Sequence, residues 1–154
     1  MKAAFIVCVG LVMITSSGVQ AADVALKKAI KGNKRALDRA HKRHQEACGY
    51  PLAAEIAYEE CRRGLKPGWE KRAVGSCVKG FDQVTRATHE LCKDHAAETR
   101  RGLKTVRIGL DTVDPKIRNQ KPTLSLSKGV LSIRCVGTTC PAKRAVLKLL
   151  EQRL

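Results

Sequence analysis

A long helical pattern occupies residues 69–95, which read WEKRAVGSCVKGFDQVTRATHELCKDH. Its apolar and small residues recur at spacings of three and four, as the buried face of an amphipathic helix requires. The positions on this stripe are Val74, Cys77, Val78, Phe81, Val84, Thr88, Leu91, Cys92 and His95. The stripe covers about six turns at 3.6 residues per turn. We therefore predict a helix that begins near Trp69 and continues towards Arg101.

A second amphipathic pattern lies upstream, over residues 23–47. Leu26, Ile30 and Leu37 belong to its apolar side, and Gly49-Tyr50-Pro51 predicts its end because the residue before proline avoids helical geometry. The opposite side is rich in basic residues. We call seven of them the cationic helix face: Lys27, Lys31, Lys34, Arg35, Arg39, Lys42 and Arg43.

Between these two patterns the sequence predicts a further helix from Pro51 to about Arg63. Proline suits the first turn of a helix, and Gly64 followed by Lys66-Pro67-Gly68 suits a stop and a turn. Trp69 is expected to pack over that turn, since a lone tryptophan serves packing more often than recognition.

The pattern changes after Leu103. Residues 106–110 alternate in a way that fits either a short strand or a fraying helix end, and residues 111–122 read as a connector. Residues 123–127 and 130–136 alternate as strands around Lys128-Gly129, which predicts a two-residue hairpin. Pro141 opens a last helix.

The predicted fold is mainly α, with three N-terminal helices, a small C-terminal β-hairpin and a final helix. Its core residues are expected to come mostly from the helical stripes. They are Leu26, Ile30, Leu37, Leu52, Ile56, Val74, Val78, Phe81, Val84 and Leu91.

Residues 1–21 have the layout of a cleaved signal peptide. Lys2 provides a positive start, residues 3–14 are uncharged and apolar, and Val19-Gln20-Ala21 places small side chains where signal peptidase needs them. The apolar run of 12 residues is shorter than the ~20 that span a bilayer. We predict cleavage after Ala21, export to the periplasm or the extracellular fluid, and a single domain over residues 22–154 without a transmembrane segment.

Six cysteines follow the predicted signal peptide, and an even number in an exported chain indicates disulfides. If the second and third predicted helices form an antiparallel hairpin, the cysteine spacings of 13 and 15 residues along them are nearly equal. Rungs at matching heights then form between the two helices. We predict the disulfides Cys48–Cys92, Cys61–Cys77 and Cys135–Cys140.

The net charge of +16 predicts an anionic partner. It falls to +15 when Lys2 is removed, with +5 on residues 22–46, +2 on residues 47–101 and +8 on residues 102–154. This excess exceeds what solubility requires and attracts polyanions or acidic surfaces. The predicted function is non-catalytic binding of a polyanion or an anionic envelope surface through the cationic helix face. An inhibitor, immunity-type or envelope-assembly module that binds an acidic protein is the alternative.

Catalytic and metal sites find little support in the sequence. A basic exported hydrolase such as a ribonuclease needs paired histidines and a lysine, and the residue types are present without an arrangement. His41 and His44 have a spacing that can hold zinc, but Cys48, the nearest thiol, is expected to be oxidised. We predict no metal site and no cofactor, and the oligomeric state stays open.

Overall fold

A computed structural model describes residues 17–60, 68–111 and 119–154 of the chain, with side chains from residue 23 onwards. Within these ranges the chain forms three helices and one four-stranded sheet. In chain order the elements are α1 (Ser17–Cys48), β1 (Ala53–Ile56), α2 (Glu70–Gly102), β2 (Thr105–Asp111), β3 (Thr123–Ser127), β4 (Val130–Val136) and α3 (Lys143–Arg153).

The sheet has the strand order β1-β2-β4-β3, and its first three strands are parallel. Parallel neighbours need a long crossover connection, which α2 provides between β1 and β2. β3 pairs with β4 in the antiparallel direction and closes the other edge. Burial alternates along the strands, so Val106, Ile108, Leu131 and Ile133 are buried while their neighbours Arg107 and Ser132 are more exposed. One face of the sheet therefore carries the core, as alternation along half-buried strands predicts.

The helices pack against the sheet and against one another through α2. This helix contacts β1, β2 and β4, and it also contacts α1 along one side and α3 along another. Phe81 and Val84 on α2 are fully buried in the main core cluster, together with Leu103 and Leu150. Because α2 touches every other helix, its long apolar stripe organises the whole core.

Most helices and the hairpin agree with the sequence prediction. α1 contains the predicted residues 23–47 but begins earlier, at Ser17. α2, α3 and the hairpin around Lys128-Gly129 form where the patterns place them, and residues 105–111 form a strand rather than a helix end. Of the predicted core, seven residues are buried and three are half-buried. The half-buried ones are Ile30, Leu37 and Ile56.

The predicted helix from Pro51 to Arg63 is wrong over its described part, residues 51–60. Residues Ala53–Ile56 form β1 and pair in register with residues 105–108 of β2. Alanine and glutamate favour a helix locally, but backbone pairing with a distant strand outweighs that small preference. The predicted stop at Gly64 and the Lys66-Pro67 part of the predicted turn lie outside the described residues, which resume at Gly68. Trp69, which was expected to pack over that turn, is 39% exposed, with the Arg72 guanidinium 5.1 Å from its ring centre.

Two disulfides join described residues, and both were among the predicted pairs. Cys48–Cys92 connects the end of α1 to α2, and Cys135–Cys140 connects the end of β4 to the segment before α3. The Cys48–Cys92 disulfide therefore links α1 with α2. It was predicted as a bond between the second and third predicted helices, and the second of these does not form. Cys77 is fully buried on α2, and its predicted partner Cys61 lies outside the described residues.

Candidate anion-binding surface

The cationic helix face is exposed along almost its whole length. Six of its seven residues are exposed, and Arg43 is half-buried. At about 100° of rotation per residue, Lys27, Lys31 and Lys34 point at least ~120° away from Arg43. Only Arg39 and Arg43 of this set border the groove between α1 and α2 described next. The predicted face is thus a solvated ridge with one edge at a concave surface.

The α1–α2 groove, a depression of about 440 Å³, lies between the two longest helices. Its floor is shallow and apolar because Ala36 and Gly75 carry little or no side chain and Val78 lies beneath. Its rim is polar and mostly basic. The lining residues are Asn33, Ala36, Arg39, Arg43, Gly75, Val78, Lys79, Asp82 and Arg86.

Asp82 lines this groove and accepts hydrogen bonds from two arginines. Arg43 Nη1 donates to Asp82 Oδ1 over 2.6 Å, and Arg86 Nε donates to Asp82 Oδ2 over 2.7 Å. Partial burial acts to raise the pKa of Asp82, but the hydrogen bonds from Arg43 and Arg86 outweigh it and hold the pKa below its ordinary value. The carboxylate is therefore ionised at neutral pH, and the cluster of three side chains keeps a net positive charge.

A second hollow of about 310 Å³ continues from the same two arginines towards α3. It is lined by Arg43, Arg86, His89, Glu90, Lys93 and Lys143. Lys143 Nζ donates to Glu90 over 2.6 Å, and this bond is the main reason that the pKa of Glu90 lies below its usual range.

Together the two hollows form one basic path, which we call the cationic track: Arg39, Arg43, Lys79, Arg86, Lys93 and Lys143. Six basic side chains face two carboxylates, Asp82 and Glu90, among the residues that line the two hollows. Lys79 and Lys93 are 14 residues apart on α2, or ~21 Å along the helix axis. The track is therefore long enough for an extended ligand.

Sequence reasoning missed four of these six residues as site residues: Lys79, Arg86, Lys93 and Lys143. A signal for three of them was present, since Lys79, Arg86 and Lys93 recur every seven residues and thus share one side of α2. The involvement of Lys143 and Arg43 depends on helix packing. Local periodicity carries no information about that.

The two histidines considered for metal binding lie in the helix interface. The His41 ring packs 4.6 Å, centre to centre, from Phe81, and the His44 ring is fully buried against Tyr50. Cys48, the third residue of that pattern, is in a disulfide. In the part of the chain that the structure describes, no group of three or more His, Cys, Asp or Glu side chains could hold a metal ion.

The environment of His44 determines its protonation. His44 Nδ1 and Thr88 Oγ1 are hydrogen-bonded over 2.8 Å, and the Thr88 hydroxyl lies 3.2 Å from Thr85 O. The tautomer with the proton on Nδ1 satisfies both bonds at once, because the hydroxyl then accepts from His44 and donates to Thr85 O. Nε2 is then a bare acceptor, and no residue of the described ranges pairs with it. Burial, and to a smaller extent the neighbouring His41, lower the pKa of His44 to about 4. The ring is neutral at physiological pH and is unsuited to attract an anion.

Another charged cluster lies at the carboxyl ends of the parallel strands. Arg134 donates to Asp111 and to Glu60, and the bond to Asp111 is the main cause of its raised pKa. Gly109 lies directly beneath this arginine, where a Cβ atom would collide with the guanidinium. Two carboxylates surround one guanidinium here, so the cluster is not an anion site.

Comparison with protein-family models, with curated proteins and with solved structures finds no match to this chain. None of the helices in the described ranges is long and apolar enough to cross a membrane.

Proposed function

We propose that this protein is an exported, non-catalytic binding protein that engages an anionic polymer or an anionic envelope surface. The observation that carries the proposal is the cationic track, in which six basic side chains converge on two adjoining hollows. The net charge of the chain without its predicted signal peptide, +15, adds a long-range field that speeds association with a polyanion. The two disulfides are compatible with an oxidising compartment outside the cytoplasm.

The experiment is a binding measurement on oxidised protein that starts at Ala22. Fluorescence anisotropy or calorimetry would follow binding to heparin and to inorganic polyphosphate between about 50 and about 200 mM salt. If the six track residues each neutralise one anion, the slope of log K against log salt is about −4 and affinity falls about 300-fold over this range. Affinity that does not change with salt, or no binding at low salt, would refute the proposal.

Binding to an acidic protein is the alternative, and the same experiment separates it. A pull-down from the native secretory compartment in moderate salt should then retain one defined acidic protein, whereas polyanions should elute early. A ribonuclease-type mechanism needs two histidines that both reach the substrate, and of the closely spaced pair His41 and His44 the second is fully buried.

A further inference from the structure

The arrangement around Asp82 is suited to present two arginines rather than to neutralise them. Each guanidinium uses one nitrogen to reach Asp82, and Arg43 Nη1 also lies 3.5 Å from Thr85 Oγ1. A guanidinium has five N–H donors, so both groups keep further donors for a ligand. The carboxylate holds the orientation of two flexible side chains while their combined charge stays positive.

The position of this cluster makes it the midpoint of the track. Arg43 and Arg86 line both hollows. Lys79 lies seven residues before Arg86 on α2 and Lys93 seven residues after it, which is ~10 Å in each direction along the helix axis. A ligand held at the arginines therefore meets a lysine on either side.

The chemistry of the lining selects among anionic ligands. The ring systems that stack on bases are absent from the lining residues of both hollows, apart from the imidazole of His89, so recognition of bases has no support. A phosphate offers more acceptor oxygens than a carboxylate and can accept from both guanidinium groups at once. The ~21 Å between Lys79 and Lys93 is several times the ~3.4 Å that separates phosphates along the axis of one strand of a DNA duplex, so the track is long enough to contact several consecutive phosphates.

We propose that the cationic track binds a single linear chain of phosphates, and that Arg43 and Arg86, aligned by Asp82, hold one phosphate at its centre. This inference rests on the proposed function and gives its ligand class. Asp82 is a positioning residue, because it acts through the two arginines and does not itself contact the ligand.

The first test compares two triple variants with the same change of charge. The track variant is Lys79→Gln/Arg86→Gln/Lys93→Gln, and the ridge variant is Lys27→Gln/Lys31→Gln/Lys34→Gln, which alters exposed residues turned away from the groove. The probe is inorganic polyphosphate, with single-stranded oligothymidylate as the nucleic-acid form of a phosphate chain and polyglutamate as a carboxylate polymer.

Losing three phosphate contacts should make the salt slope shallower by about 2 and reduce polyphosphate affinity about 100-fold at about 0.1 M salt. The ridge variant should lose only a few-fold, because charges beyond ~10 Å are screened at that salt. If the wild type binds polyphosphate and both variants lose the same amount of affinity, the assignment of the binding site to the track is wrong and the proposed function stands. If the wild type binds no polyanion, both fail. Equal affinity for polyglutamate would overturn the phosphate assignment.

The second test uses the sign of the effect at Asp82. Asp82→Asn removes a negative charge from a basic surface, so general electrostatics predicts tighter polyphosphate binding. If Asp82 orients Arg43 and Arg86, binding instead weakens, and we expect about a ten-fold loss. Asp38→Asn, at an exposed position of α1, is the matched control and should bind slightly more tightly.

If the Asp82→Asn variant binds polyphosphate more tightly than the wild type, as the control does, Asp82 does not position the two arginines. Thermal unfolding by circular dichroism establishes that both variants keep their helices. If Asp82→Asn fails to fold, the comparison of the two triple variants, whose substituted side chains lie on the surface, decides the proposal without it.

Discussion

Acid should destabilise this protein through His44. In the folded chain its pKa is about 4, against 6.5 for the unfolded side chain, because burial disfavours the charged ring. Between these two pH values the unfolded state takes up a proton that the folded state does not. The stabilising contribution is therefore complete above pH ~6.5 and is lost as the pH falls towards 4.

The size of the effect follows from the same two pKa values. At 1.36 kcal/mol per pKa unit, linkage gives a loss of about 2 kcal/mol by pH 5 and about 3 kcal/mol by pH 4. The structural cause is the buried Nε2 of His44, which would become an N–H donor with no acceptor among the described residues.

The assay is urea denaturation followed by circular dichroism at a series of pH values, for the wild type and for His44→Leu. Carboxylates titrate in both proteins, so the difference between their free energies of unfolding isolates His44. At pH 7 the variant loses the stabilising bond to Thr88, but it also removes the destabilising unpaired nitrogen. We therefore expect the free energies of unfolding of the two proteins to differ by no more than about 1 kcal/mol at this pH. From pH 7 to pH 5 this difference should move about 2 kcal/mol in favour of the variant.

A difference that stays constant within about 0.5 kcal/mol over that range would refute the reasoning, at a precision that denaturation curves reach for paired variants. It would mean that the His44 ring is charged in the folded state or reaches water there. A proton NMR titration of the ring gives an independent readout of the same pKa.

Three further predictions concern stability at neutral pH, each measured by urea denaturation under oxidising conditions. Tyr50→Phe should cost about 1–2 kcal/mol, because the phenol donates to the carbonyl of Leu103 over 2.7 Å in a buried site; a neutral result would contradict that bond. Replacing both Cys48 and Cys92 by alanine should cost about 4 kcal/mol, since their separation of 44 residues closes a long loop. Gly80→Val should cost about 1–3 kcal/mol through overpacking, because a Cβ atom at this position already lies 3.3 Å from Cys140 Sγ; unchanged stability would show that the disulfide yields.

The elements that were predicted correctly are those whose signal is local. The apolar stripe of α2 repeats over many turns, so chance agreement with helical spacing is small. The hairpin depends on Lys128 and Gly129, whose φ angles of 49° and 79° have the positive sign that its tight turn requires. Both patterns lie within a few residues of the structure that they specify.

β1 shows where local information ends. Its four residues, Ala53–Ile56, are too few to show a period, and their composition favours a helix. Their partner strand begins at Thr105, beyond the whole of α2. The strand exists because backbone groups of these two segments pair in register, and no property of residues 53–56 alone indicates it.

The candidate site, like the fold, has one part that the sequence indicates and another that depends on tertiary packing. Charge and composition establish that the surface is strongly basic, and the spacing of Lys79, Arg86 and Lys93 places them on one side of α2. The packing of α1 against α2 decides which of the basic residues come together at the groove. That packing turned Arg43 inward to Asp82 and left Lys27 and Lys31 on the outer ridge.

The sequence by itself determined the long helices, the hairpin and the strong positive charge, because periodicity, turn chemistry and charge are properties of neighbouring or regularly spaced residues. The tertiary structure alone decided the strand β1, the parallel sheet and the cationic track. These features join residues that are distant along the chain, and they arise from burial and pairing energies that exist only once the helices and strands have packed together.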